Sequence, residues 1–418
     1  MKKIKFIDLF AGLGGTRIGF QQACSEKGVE AECVFTSEIK PYAIQIYKHN
    51  FNQEEVHGDI TKIDAKDIPD FDFLLGGFPC QAFSVAGTRK GFDDTRGTLF
   101  FDVARIIREK QPKGFLLENV EGLVTHDGGR TLEVILNVLR EIGYKVDWKV
   151  LNSKRFGVAQ SRKRIYIVGR KDKEVLLDGF IEISAKLGTI LESGLHPLET
   201  KFTRKLLELY TPQQLNGMSI KDKRGGAKNI HSWDLELKGN VTQAQKDLLN
   251  TLLLQRRKKK WAELKGIKWM DGMPLTLSEI HSFYSFLTKG DLKAMLEDLV
   301  VKKYVSFEHP KDIIGQGYKR DYATDKEKGY NIVSGKLSFE LNKILDPNGI
   351  APTIVATEAD RYAVVDNGKL RQLSEKECLR LFGYPDWYSS NIKHTQLYDL
   401  VGNTVVVPVI QAVSAKII

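Results

Sequence analysis

Ile4-Lys5-Phe6-Ile7-Asp8-Leu9-Phe10-Ala11-Gly12-Leu13-Gly14-Gly15 runs a short apolar stretch into a cluster of glycines. The stretch reads as a strand, and the glycines allow a tight turn that brings backbone close to a ligand before a helix begins. Asp8 and the glycines from Gly12 onward also break any signal-peptide core. Strand, turn and helix in this order open an open α/β sheet. The glycine spacing is not the G-x-G-x-x-G of dinucleotide binders, which argues against a nicotinamide-dependent oxidoreductase.

From this opening to about Gly169, short apolar runs alternate with amphipathic stretches, the pattern of βαβ units around a doubly wound, mostly parallel sheet. Strands are expected at Ile4–Phe10, Cys33–Ser37, Phe71–Leu75, Gly114–Glu118, Lys145–Asn152 and Arg164–Gly169. Helices are expected at Phe101–Lys110 and Thr131–Gly143, the second with Leu132, Ile135, Leu136 and Leu139 at helical spacing. After Ala351 the α/β character returns. Ser374 and Glu377 have the form of a capping box, with Leu373 and Cys378 as its hydrophobic staple, so a helix starts near Glu375 and stops by Gly383-Tyr384-Pro385. The segment Val401 to Ile418 is apolar enough to pack back on the first domain.

Lys171 to about Ile350 is irregular in period and too long for a loop inside a compact domain. Residues 171–350 therefore read as a second, inserted domain, and residues 1–170 with 351–418 as the first. The insertion holds 30 Lys and Arg against 24 Asp and Glu, a surplus of 6 within the chain's net charge of +10. Its densest basic run, Arg256-Arg257-Lys258-Lys259-Lys260, is either a solvated helix face or a set of phosphate contacts. The net charge favours a polyanionic partner without establishing one. No apolar run approaches the ~20 residues that span a bilayer, so no membrane association is expected. The four cysteines, Cys24, Cys33, Cys80 and Cys378, include no C-x-x-C pair, which suggests neither disulfides nor a metal site and fits a reducing cytoplasm.

Candidate chemistry collects at predicted strand ends. Glu38 follows the second strand, where an acidic side chain can hydrogen-bond a ribose diol. Gly76-Gly77-Phe78-Pro79-Cys80-Gln81-Ala82-Phe83-Ser84 sets a thiol on a glycine-hinged loop at the carboxyl edge of the sheet, where ligands bind. A free cysteine has a pKa of about 8.5 and supplies only a few per cent thiolate at neutral pH, so a cationic or helix-terminal environment is expected around Cys80. The loop continues to Gly97 with three glycines and charges of both signs, suited to a lid or to an ordinary surface loop. Glu118 ends the strand Gly114–Leu117 and points a carboxylate to the same edge; a structural carboxylate is the alternative. Arg162 and Arg164 share a face by alternation, which suits phosphate, a base carbonyl or plain salt bridges.

In this order, Phe10–Gly15, Pro79-Cys80-Gln81, Glu118-Asn119-Val120, Gln160-x-Arg162-x-Arg164 and Gly402-Asn403-Thr404-Val405 resemble the blocks of the C5-cytosine DNA methyltransferase family of the bacterial restriction-modification type. The resemblance covers about Lys5–Arg170 and Ala351–Ile410 and departs at Thr404, often serine, and at Ser161, commonly basic. It implies a Rossmann-like S-adenosylmethionine-dependent fold with 171–350 as target-recognition domain, and Cys80 as nucleophile toward C6 of a flipped cytosine. Glu118 would donate to N3 and the exocyclic amine, Arg164 would hold O2, and Arg162 would support the neighbourhood of Cys80. Cofactor contacts would come from Phe10, Ala11, Gly12, Gly14, Glu38, Ile39, Asp59, Ile60, Pro79, Leu99, Asn403 and Val405. DNA contacts would come from Gln81, Ser84, Arg89 and Arg96. Product S-adenosylhomocysteine, no metal, a double-stranded DNA substrate, a monomer and a cognate restriction endonuclease complete the expectation. An RNA cytosine methyltransferase on the same scaffold is the runner-up; its tRNA branch carries a Cys-Phe-Thr element, whereas no cysteine lies between Cys80 and Cys378 here. A non-catalytic DNA-binding regulator would be expected to have lost Cys80 or Glu118.

Overall fold

The computed structural model describes residues 3–53, 55–79, 99–222, 225–268, 272–313, 320–333 and 339–418. They divide into two compact units, one of Met1–Gly194, Asp346–Asp360 and Leu373–Ile418, the other of Leu195–Leu345 and Arg361–Gln372. In the first, β1 (Lys3–Leu9), α1 (Gly15–Glu26), β2 (Glu30–Ser37), α2 (Pro41–Phe51), β3 (Phe73–Gly77), α3 (Leu99–Lys110), β4 (Gly114–Val120), α4 (Arg130–Glu141), β5 (Lys145–Asn152) and β6 (Lys163–Arg170) follow in order. The strands form one sheet in the order β2-β1-β3-β4-β6-β5. The pairs β1/β2, β1/β3 and β3/β4 are parallel, and β6 runs antiparallel to both its neighbours.

The chain leaves β1 on one side for β2 and takes up β3 on the other, which opens a crevice at the carboxyl ends of these strands. The reversal of β6 carries its first residues to that same edge, with Arg164 opposite Val120. Alternation along β1 covers both faces of the sheet. Phe6 meets Phe20 of α1 with ring centroids 4.9 Å apart, while Ile7 and Leu9 join Val103 and Ile107 of α3 and Leu139 of α4 in one core. Because helices cover both faces, β3 and β4 are buried along nearly their whole length and read as continuous apolar runs.

The second unit contains α5 (Lys201–Leu209), α6 (Pro212–Leu215), β7 (Ser219–Ile220), β8 (Asn229–Ile230), α7 (Gln243–Gln255), α8 (Lys259–Lys265), α9 (Leu277–His281), α10 (Lys289–Val301), β9 (Val305–Glu308), β10 (Lys311–Ile313), β11 (Arg320–Tyr322), β12 (Gly329–Ile332), β13 (Lys343–Ile344), β14 (Tyr362–Asp366) and β15 (Lys369–Gln372). Its strands form the sheet β15-β14-β13-β7-β8 and the pairs β9/β12 and β10/β11. Leu248, Leu252, Leu292 and Leu296 anchor a helical core, and Leu206, Ile220, Ile344 and Leu370 a second core under the five-stranded sheet. The basic run is split by this packing. Arg256 is buried and donates to Asn331 Oδ1 at 2.7 Å, so it is neither a solvated nor a phosphate-facing residue. Lys258, Lys259 and Lys260 stay exposed.

The chain returns to the first unit through α11 (Glu375–Arg380), α12 (His394–Asn403) and α13 (Val407–Ile417). The capping box forms: Glu377 N donates to Ser374 Oγ at 3.1 Å and Ser374 N to Glu377 Oε2 at 2.8 Å, with Leu373 and Cys378 buried beside it. Helix α13 packs on α1 so closely that a Cβ on Gly19 would come within 2.7 Å of Ile410. The division between units departs from the expected limits of 171 and 350. Residues 171–194 belong to the first unit, where Leu177 N donates to Asp147 Oδ2 at 2.7 Å and Leu187 N to Gly349 O at 3.0 Å. Residues 361–372 belong to the second, where β14 extends the sheet beside β13. Long-range backbone bonds set these limits, and composition does not record them. Among the described residues no single helix is long and apolar enough to cross a membrane, and no group of three or more His, Cys, Asp or Glu could hold a metal ion.

Candidate active site

Beyond Leu9 the backbone turns sharply. Phe10 and Gly12 have φ of 56° and 52°, and Gly14, at 74°, precedes the first residue of α1. The left-handed region suits glycine and is costly for phenylalanine, so the turn at Phe10 is held by its surroundings. Ala11 N donates to Ser37 O at 3.1 Å and Gly12 N to Glu38 Oε2 at 2.8 Å, tying the ends of β1 and β2 together. Ile39 N and Lys40 N donate to the other oxygen of Glu38 at 2.8 and 2.9 Å.

These turns form one side of a cavity of about 620 Å³ at the carboxyl edge of the sheet. Phe10, Ala11, Gly12, Glu38, Ile39, Asp59, Ile60, Pro79, Leu99, Asn403 and Val405 all line it, as do Glu118, Arg162 and Arg164. Of the cofactor residues expected from sequence, Gly14 alone does not line it. A Cβ there would meet the Phe51 ring at 2.3 Å, so this glycine serves the turn and the packing of α2. Cys80, Gln81, Ser84, Arg89 and Arg96 lie outside the described residues.

At the far side, Glu118 is almost enclosed at the end of β4, and Arg164 Nε lies 3.1 Å from its Oε1. Burial pushes the Glu118 carboxyl above its ordinary value, and the charges of Arg164 and Arg162 only partly oppose this. Arg162 is bonded to backbone from far along the chain, while Cys80, whose neighbourhood it was expected to support, lies outside the described residues. Its guanidinium donates to the carbonyls of Ile354, Gly402 and Thr404, each at 3.0 Å, and lies over the Phe382 ring. Burial, then the neighbouring Arg164, pulls it down to about 10, which leaves it charged at neutral pH. Arg162 is thus a positioning residue that fixes the returning chain beside the cavity. The returning chain is tightly fitted there, because a Cβ on Gly402 would come within 2.0 Å of the Ala356 backbone.

Several residues of the site were given no role by sequence. Asn119 Nδ2 donates to Phe78 O at 2.9 Å and its Oδ1 accepts from Val120 N at 2.8 Å, so it holds the backbone just before Pro79. Thr16 lines the cavity and donates to Asp8 Oδ1 at 2.6 Å; burial pushes Asp8 up to about 7. Asp8 stood in the opening stretch, and a carboxylate inside an apolar strand is a signal that could have been taken up. Lys40, two residues after Glu38, also lines the cavity.

The family model for C-5 cytosine-specific DNA methylases matches residues 4–418. The chain belongs to that family. This C-5 cytosine-specific DNA methylase transfers a methyl group to C5 of cytosine in DNA, and the family's donor is S-adenosylmethionine. It is 58% identical to Type II methyltransferase M.NlaIV of Neisseria lactamica and 57% identical to M.NgoBV of Neisseria gonorrhoeae, in each case over 100% of this chain and 99% of the relative. M.HgiCI of Herpetosiphon aurantiacus is 40% identical over 98% of this chain and 96% of that one. The methylase fold is also that of the S. pombe Dnmt2 methyltransferase, with a TM-score of 0.53 at 16% identity over 99% and 96% of the two chains. The Entamoeba histolytica methyltransferase EhMeth gives 0.52 at 15% identity over 100% and 98%.

The cavity fits the methylase's donor. Glu38 offers a carboxylate for a diol, and Ile39, which is 67% exposed, Ile60 and Leu99 give the lining apolar surface. Gly12 leaves the wall open, since a Cβ there would have only the Phe10 carbonyl, at 4.0 Å, for a neighbour.

Proposed function

We propose that this methylase is the modification enzyme of a restriction-modification system, acting on a short DNA sequence through Cys80. The observation that carries this reading is that Glu118, Arg164 and every expected cofactor residue but Gly14 line one cavity with Pro79, the residue before Cys80, at its wall. Similarity at 58% over the full length to a Type II methyltransferase supports DNA over RNA as substrate, and a cognate endonuclease acting on the same site. The second unit serves as target-recognition domain, the protein acts as a monomer in the cytoplasm, and no metal takes part.

Cytosine C5 is not nucleophilic until something adds across the C5–C6 bond. The Cys80 thiolate bonds to C6, and Glu118, whose carboxyl is shifted toward its protonated form, donates to N3 as the electron pair moves into the ring. Arg164 holds O2, and Arg162 keeps the returning chain in place. Bound S-adenosylmethionine supplies the electrophilic methyl group and leaves as S-adenosylhomocysteine. The C5 proton then passes to water, the N3 proton returns to Glu118, and breakage of the C6–sulfur bond releases the methylated base and the Cys80 thiolate. Glu38 would hold the ribose of the donor and Asp59 and Ile60 its adenine, with Phe10, Ile39, Asn403 and Val405 as further contacts. The base must be flipped out of the duplex at a cost of a few kcal/mol, offset by contacts from Gln81, Ser84, Arg89 and Arg96.

The test is base-resolution 5-methylcytosine mapping of unmethylated DNA incubated with the purified protein and S-adenosylmethionine, beside a Cys80→Ala control. Methylation in one short sequence context, absent from the control, is the expected result. Methylation persisting in the control would remove the covalent mechanism, and methylation of RNA alone would reverse the choice of substrate.

A further inference from the structure

Asp399 lies on α12 one turn before Asn403, outside the cavity lining but against it. Its Oδ2 accepts from Lys40 Nζ at 2.7 Å and from the Tyr42 hydroxyl at 2.6 Å. Its Oδ1 is 3.5 Å from Asn403 Nδ2, which also donates to the Asp399 carbonyl at 2.8 Å. Lys40 belongs to the turn Glu38-Ile39-Lys40 that forms one wall of the cavity, and Leu400 and Asn403 form part of another. One carboxylate therefore ties together two walls that come from opposite ends of the chain.

We propose that Asp399 is a positioning residue for the cofactor: it sets the spacing between the wall at Glu38 and Ile39 and the wall at Asn403. The inference rests on the cofactor reading of the cavity. Lys40 and Asp399 are each about two-fifths exposed, so water screens their attraction and the pair adds little to folding. Its leverage lies in preorganisation. A ligand that touches both walls binds more weakly when it must itself hold them in register. No group of the reacting cytosine is involved, so affinity for the cofactor depends on Asp399 more than the chemical step does.

The experiment measures S-adenosylhomocysteine binding by calorimetry, and KM and kcat for S-adenosylmethionine, in Asp399→Asn, Lys40→Met, Tyr42→Phe and the Lys40→Met/Asp399→Asn double variant. Asp399→Asn is expected to weaken cofactor binding and raise its KM about tenfold, with kcat at saturating cofactor changed less than about twofold. Lys40→Met and Tyr42→Phe should each give part of that loss, about threefold, and Lys40→Met should add nothing in the Asp399→Asn background. An Asp399→Asn protein that binds cofactor within a factor of about two of wild type, or one that loses kcat with KM intact, overturns the proposal. So does full additivity in the double variant. Failure of the wild-type protein to bind S-adenosylhomocysteine would instead remove the cofactor reading on which the proposal stands.

Discussion

The two sides of the cavity each present a carboxylate at a strand end, and the chain treats them in opposite ways. Glu38, after β2, is met by three backbone amides, which fix where its oxygens point. Glu118, at the end of β4, is enclosed beside Arg164, and burial shifts its carboxyl toward the protonated form. The same residue type near two strand ends is thus a fixed acceptor on one side and, on the other, a carboxyl shifted toward its protonated form. Divergent environments for paired acids are how one site divides binding from chemistry.

Glu118→Gln is the most severe way to break the comparison. It removes the donated proton while keeping the shape, and single-turnover methylation should slow by about 10²–10⁴ while S-adenosylhomocysteine still binds. The wild-type rate should also fall as pH rises through the raised Glu118 value, since only the protonated form donates. The variant should lack that limb. A Glu118→Gln enzyme within tenfold of wild type would mean that the two carboxylates do not differ in kind.

Glu38→Gln sharpens the other half. An amide cannot accept from all three backbone donors as a carboxylate does, so KM for S-adenosylmethionine should rise about tenfold, with a much smaller effect on kcat. Loss concentrated in kcat would show that Glu38 serves the chemistry as well.

Asp8 is a third carboxylate behind the same wall, buried and hydrogen-bonded to Thr16 and Tyr47. Its folded value of about 7 lies above the ordinary 3.8, so the native state binds the extra proton between those limits. Asp8 then contributes stability that is complete below about pH 4 and is lost as pH rises through 7. Thermal unfolding of the wild type should shift downward over that window, and Asp8→Asn should flatten the shift and gain a few degrees at pH 8. Tyr47 can turn its hydroxyl to Thr36 Oγ1, 3.2 Å away, when the asparagine amide donates to it. Parallel curves for the two proteins would mean that Asp8 is not protonated in the fold.

How far these features could be read from sequence depended on whether their cause is local. All six expected strands of the first unit are present, displaced by no more than a few residues at any end, because alternation and glycine breakers are written within each segment. The capping box at Ser374 was legible for the same reason: its partners are three residues apart. Arg162 was not. Alternation places it on a face with Arg164, but its acceptors lie on Ile354, Gly402 and Thr404, far along the chain. Arg256 misled in the same way, since a run of cations suggests solvent and only the fold supplies Asn331. Glu118 and most of the residues that line the cavity were reached through the order of family blocks, whereas Asn119 as a clamp on Phe78 required the register of β3 against β4.

The packing of α13 on α1, and the wall formed by Asn403 and Val405, carry a consequence for synthesis. A ribosome that has finished the first six strands and the whole second unit has still not made this cavity, because the wall at Asn403 and Val405 and the helix packed on α1 come later in the sequence. Truncation anywhere before Gly402 removes one wall of the cavity, since Gly402, Asn403, Thr404 and Val405 line it.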